Sequence, residues 1–239
     1  MLNGNQADGL RQKDSEQKDS AEAMGDTISK ARHTGPAMDG GLPFIPYLAM
    51  ILGLHLWHSP WLSFLLYHGA IVVILVMESP GRYARSLIRG WDKRIGWGAV
   101  AFGLAGGVLL KVLAPLAGID GAGLRPVLGS LGLRGMGWPL FVVYHTLANP
   151  WFEEVFWRGR LGHDSRRPVL NDFLFAGYHM LVLMLFLDWP WLVPAFGILA
   201  VAGWLWRQLR RECGGLLTPV ISHLAADGSI MIAVYWLAR

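Results

Sequence analysis

Glu153, Glu154 and Arg158 stand in the run "NPWFEEVFWRGRL" at 149–161, His179 closes "FAGYH" at 175–179, and His223 and Asp227 bracket "HLAAD" at 223–227. In a helix, residues four apart share one face. Helical placement therefore predicts that Glu154 pairs with Arg158, and that His223 and Asp227 point at one cavity. Glu153 falls about 100° round the helix from Glu154, which leaves the two carboxylates free for different tasks. The chemistry these groups allow is water activation, because a carboxylate and a neutral imidazole can together hold one water and take its proton. A second histidine beside an acid can donate to an oxyanion when its proton is correctly placed. Two histidines and a glutamate are also a common zinc ligand set, so Glu153, His179 and His223 are candidate metal ligands. Residue types alone leave the metal-dependent and the metal-free routes both open. Asn149 is a candidate N-cap, and Pro150 is expected to start or kink the helix that aims the two acids.

The elements that must position these groups are apolar. The chain of 239 residues is 53% hydrophobic and 16% charged, with 12 tryptophans, and its mean hydropathy is +0.36. That composition indicates a membrane protein. Seven apolar segments follow Gly41, at roughly 42–57, 61–77, 95–115, 136–152, 170–187, 190–206 and 216–238. Several fall short of the roughly 20 residues that cross a bilayer comfortably, so some are expected to be re-entrant. The fold class expected is all-α: a polytopic membrane bundle of about seven to eight transmembrane or re-entrant helices. "HSP" at 58–60 and "DWP" at 188–190 read as helix breaks, since proline ends or starts helices.

Charge gives an orientation. Segments 79–94, 158–168 and 207–211 carry five, four and three Lys/Arg, while the alternate connections hold Arg125, Arg134 and Arg239. The positive-inside rule puts the Arg-rich segments in the cytoplasm together with residues 1–41. That 1–41 stretch carries five Lys/Arg against seven Asp/Glu and almost no large apolar residue, so it reads as a disordered polar tail. Its start is not patterned as a secretory signal peptide. The basic excess of residues 42–239 is too scattered for a nucleic-acid surface. The single cysteine, Cys213, rules out an internal disulfide and a Cys-cluster metal site.

Three acids fall at or near membrane depth: Glu153, Glu154 and Asp227. Ionisable groups there are costly and are functional candidates by default. His55, His58 and His68 precede the motifs and read as interfacial or packing residues. His145 lies two helical turns before Glu153 and could approach the site. Phe175 reads most simply as packing, and Lys111 as snorkelling to the outer surface.

"EEVFWRGRL", "FAGYH" and "HLAAD" resemble, in order, the three motifs of the CPBP intramembrane proteases, the family of the type II CAAX prenyl proteases and the bacterial Abi proteins. The resemblance covers roughly residues 95–239 and implies a helical membrane bundle whose site opens toward the cytosol. By motif position, Glu153 resembles the general base acting with His179 on water. Glu154 and Arg158 resemble a supporting pair, and His223 with the residue four later resembles the oxyanion side. Asp227 stands where the prenyl proteases have Asn. An ionised Asp cannot donate a hydrogen bond, so Asp227 serves the oxyanion either protonated or by orienting His223. The resemblance implies a peptide or protein substrate, membrane-anchored or lipidated in the CAAX case, and a location in the plasma (inner) membrane. Members are often named metalloproteases, yet a metal-free glutamate mechanism is also argued for them; the cofactor expectation is none or Zn, with metal-free catalysis favoured.

Other classes fit less well. His-Glu-x-x-His, Gly-x-Ser-Gly and Gly-x-Gly-Asp are all missing from the sequence, which disfavours site-2-type zinc, rhomboid-type serine and presenilin-type proteases. A non-enzymatic immunity or scaffold protein that keeps the motifs for structure is the main alternative, favoured by Asp227. A proton-coupled transporter is a third, weakened by the lack of internal repeats.

Overall fold

The apolar segments of the sequence fold as helices joined by short polar breaks. The computed structural model describes residues 40–78 and 80–239. The reading of 1–41 as a disordered tail therefore lies, over 1–39, outside the described residues. Among the described residues nine α-helices run in chain order: α1 (Ile45–Met50), α2 (Pro60–Glu78), α3 (Pro80–Leu87), α4 (Lys93–Leu113), α5 (Gly121–Ser130), α6 (Gly137–Glu153), α7 (Leu170–Leu183), α8 (Trp189–Cys213) and α9 (Leu217–Leu237). Among the described residues there is no strand. Pro43–Arg239 forms one compact unit.

Each of the seven expected segments is helical, and α3 and α5 are additional short helices in connections read as loops. Four helices, α2, α4, α8 and α9, are long and apolar enough to cross a membrane, and Leu42–Leu56 is a shorter apolar stretch. The protein is an integral membrane protein by this measure. α2 begins at Pro60, the last residue of the "HSP" break, and α8 at Trp189 inside "DWP". α8 ends on Gly214, whose φ of 69° is the left-handed C-cap conformation that glycine adopts without steric cost.

Two zippers set the rotation of the helices that carry the motifs. The first joins α4 to α9 through small residues, which let backbones approach closely in lipid. A Cβ on Gly103 would stand 2.2 Å from the Ser222 carbonyl oxygen, and one on Gly107 2.4 Å from that of Ser229. Hydroxyls bridge the same seam: Ser222 donates to the Ala99 carbonyl at 2.7 Å, and the Gly107 N–H donates to Ser229 Oγ at 3.0 Å. This fixes α9 with His223 and Asp227 turned inward. The second zipper is Arg207 of α8, only 2% exposed. It binds both carboxylate oxygens of Asp172 on α7, at 2.9 and 2.7 Å. It also donates to the carbonyls of His163, Ser165 and Arg167. Asp172 in turn accepts from the Val169 N–H at 2.9 Å, so one ion pair fixes the 163–167 loop and the start of α7.

The Arg-rich segments meet at one end of the bundle. Arg160 bonds Glu78 at 2.6 Å, Arg210 bonds Asp164 at 2.6 Å, and the Leu216 N–H donates to the Ser86 carbonyl at 2.9 Å. Arg125, by contrast, donates to the carbonyls of Ala238 and Arg239, at the C-terminal end of α9.

Candidate active site

α6 delivers the two glutamates, and it does so differently from the sequence expectation. Pro150 neither starts the helix nor ends it: α6 is capped at Met136 and runs through Pro150 without a break. Instead the helix changes pitch, and Glu154–Arg160 continues as a π-helical segment. Pro150 removes one N–H from the ladder, and π-helical turns of this kind recur at functional sites. Asn149, expected as an N-cap, is likewise corrected. It is buried, 3% exposed, and its amide donates to Asp227 Oδ2 at 3.1 Å.

The Glu154–Arg158 pair expected from spacing is present at 3.1 Å, with both side chains buried. Arg158 also donates to the Gly203 carbonyl at 3.3 Å. Its guanidinium lies over the Phe175 ring at 4.1 Å and over Trp206 at 5.2 Å. Phe175 is thus a platform for a buried cation, a use beyond simple packing. Glu154 Oε1 further accepts from His223 Nδ1 at 2.8 Å. His223 Nε2 stands 3.4 Å from Asp227 Oδ1 and 3.7 Å from Glu153 Oε2. Both ring nitrogens of His223 therefore face carboxylates, and a doubly protonated ring satisfies both.

Glu153 is 2% exposed. Its Oε1 accepts from the Tyr178 hydroxyl, and its Oε2 has no hydrogen-bond partner. His179 does not meet Glu153 directly: the Tyr178 hydroxyl lies between them, 3.2 Å from His179 Nε2. His179 Nδ1 donates to the Phe175 carbonyl at 2.8 Å. His223 begins six residues into α9, so it lies about 9 Å inside the Arg-rich end, with Asp227 about 6 Å deeper.

Several members of the site lay outside the sequence reading. Trp206 stacks on His223 at 4.0 Å, and its Nε1 donates to Ser222 Oγ at 3.1 Å. His68, read as interfacial or packing, is buried at 4% exposure, with Nε2 3.3 Å from Asn149 Oδ1 and Nδ1 2.9 Å from the Tyr144 hydroxyl. His145 does approach the site, 3.4 Å from Asp227 Oδ2. His55 instead donates to the Leu181 carbonyl at 2.7 Å, tying the α1 end to α7. Tyr178 was visible in "FAGYH", but nothing in its spacing marks it. The signal for Asn149 was a polar residue one turn before Glu153, misread because Asn-Pro is also a local cap pattern.

The possible zinc set was Glu153, His179 and His223. Among the described residues no group of three or more His, Cys, Asp or Glu is disposed to hold a metal ion. The chemistry below is derived from the chain's own groups.

Carboxylates, imidazoles and a guanidinium gathered inside an apolar helical bundle define the class: an integral membrane protein with a buried ionisable cluster. Residues 135–229 match the family model described as Type II CAAX prenyl endopeptidase Rce1-like. The matched segment holds all three motifs and is less than half of the chain, and over it the resemblance to the CPBP proteases is borne out. No curated protein and no solved structure matches the chain.

Proposed function

We propose that the protein is an intramembrane endopeptidase that hydrolyses a peptide bond near the cytosolic membrane face. The observation that carries this reading is Glu153: a buried carboxylate with one oxygen held and the other unpartnered, facing His223 Nε2. In an apolar surround an idle charge of that kind is costly. Glu154 also has an unpartnered Oε2, but its Oε1 is taken by both Arg158 and His223, so this acid is committed to two cationic side chains while Glu153 is not, which answers why two adjacent acids are present. One balances the buried cations and the other is free to act as a base.

In this mechanism Glu153 Oε2 takes a proton from the attacking water as its oxygen adds to the scissile carbonyl. His223 Nε2–H donates to the oxyanion that forms. Asp227 cannot supply that donor when ionised, so its role is to face His223 and stabilise the charged ring. Glu153 then passes its proton to the leaving amine as the C–N bond breaks. Arg158 keeps Glu154 from repelling Glu153.

The family match supports a peptide or protein substrate, and a lipidated CAAX peptide is the first to try. The Arg-rich end, with the site about 9 Å inside it, supports a cytosolic opening, a cytoplasmic 1–41 segment and residence in the plasma (inner) membrane. The test is to express wild type and Glu153→Gln at equal abundance and compare peptide ends in their membranes by mass spectrometry. Ends present only with wild type support the protease. Identical ends, with both proteins folded, overturn it in favour of a scaffold.

A further inference from the structure

Tyr178 touches both groups that the sequence assigned to the attacking water. Its hydroxyl donates to Glu153 Oε1 and lies 3.2 Å from His179 Nε2. The Phe175 carbonyl can only accept, so its 2.8 Å bond to His179 puts a hydrogen on Nδ1. In the neutral ring Nε2 is then an acceptor, as is Glu153 Oε1. Tyr178 has one hydrogen for two acceptors, and the closer contact assigns it to Glu153. The ring cannot drift from this place. Trp157 stacks parallel to it, with centroids 6.0 Å apart and planes at 3°. Phe175 meets it edge-on at 5.8 Å, and the side chain is 2% exposed.

We propose that Tyr178 is a positioning residue for Glu153, resting on the hydrolase reading above. By committing Oε1, its hydroxyl makes Oε2 the working oxygen and turns it toward His223. It also fills the gap between Glu153 and His179 where a shared water was expected. His179 therefore acts on Glu153 through Tyr178 rather than through that water. When His179 takes a second proton, Nε2–H donates to the Tyr178 oxygen. The donors then line up from His179 through Tyr178 to Glu153, each polarising the next.

The experiment begins with the peptide ends that require Glu153 and uses a synthetic peptide spanning the strongest of them as the probe. Purified wild type, Tyr178→Phe, His179→Gln and the double variant are compared for kcat, KM and melting temperature. Tyr178→Phe is expected to lose about 100-fold in kcat with KM unchanged, and to melt several degrees lower because the buried Glu153 Oε1 loses its donor. The double variant is expected to be no slower than the slower single, because the two residues act in series. A structural role alone would multiply the two losses. A Tyr178→Phe rate within about threefold of wild type, or multiplying losses, overturns the proposal. Incorporating 3,5-difluorotyrosine at 178 keeps the ring and its hydroxyl while strengthening the donor. A kcat change above about threefold at fixed KM supports the proposal, and an unchanged kcat overturns it even if Tyr178→Phe does not accumulate. If wild type itself yields no Glu153-dependent ends, the hydrolase reading falls and this proposal with it. That failure is distinct, because it is seen before position 178 is altered.

Discussion

Arg158→Met removes one partner of a fully buried ion pair and leaves the other in place. Loss of one partner from such a pair costs about 3–5 kcal/mol, because the remaining charge stays buried. Here Glu154 keeps a second donor, His223 Nδ1 at 2.8 Å. Methionine also retains an apolar contact with Phe175, the ring beneath the guanidinium. The low end, about 3 kcal/mol, is therefore expected. At about 2–4 °C per kcal/mol for a chain of this size, the melting temperature in detergent should fall by about 6–12 °C. The assay is the fraction of protein that elutes as a single folded species after heating, compared with wild type. Arg158→Met combined with Glu154→Gln removes both charges, and should melt above Arg158→Met alone. A single variant melting within about 2 °C of wild type, or a double variant that is worse by the sum of both losses, would refute the reasoning.

Three further outcomes follow from the scaffold. Gly103→Ala places a methyl 2.2 Å from the Ser222 carbonyl, whereas Gly98→Ala meets nothing within 4 Å; the first should lower folded yield severalfold and the second leave it unchanged, as read by membrane expression. Arg207→Met should free the 163–167 loop, and losing about 3 kcal/mol raises the opened population about 100-fold, so trypsin should cut after Arg166 much faster than in wild type, the bond after Arg167 being protected by Pro168. Cys213, partly exposed at the Arg-rich end, should react with a membrane-impermeant maleimide in inside-out vesicles and not in intact cells; labelling from outside would reverse the orientation.

Much of the fold was legible because lipid imposes a simple rule: long apolar runs must be helices, and proline-containing polar breaks must separate them. The segment at 61–77 became α2 and that at 216–238 became α9 with little change. α3 and α5 were missed because they are short, lie in connections and carry no membrane-length signal. Within the site, what depended on spacing four apart was readable, as the Glu154–Arg158 pair shows. What depended on distant helices was not. Asn149 meets Asp227 from 78 residues away, and His68 meets Asn149 from 81; no local pattern encodes either contact. The π-helical segment after Glu153 was equally hidden, because Asn149-Pro150 reads locally as a helix start, whereas the helix runs on through Pro150 with Asn149 bonded to Asp227 of α9 and His68 of α2.

The central claim is that Glu153 drives addition of water across a peptide bond. Purified wild type and Glu153→Gln should be incubated, in ¹⁸O-labelled water, with a peptide spanning a Glu153-dependent cut, and the product carboxylate weighed by mass spectrometry. The account predicts one ¹⁸O atom in the new C-terminus with wild type and no product with Glu153→Gln. Cleavage that persists in Glu153→Gln, or a product without the label, would contradict it.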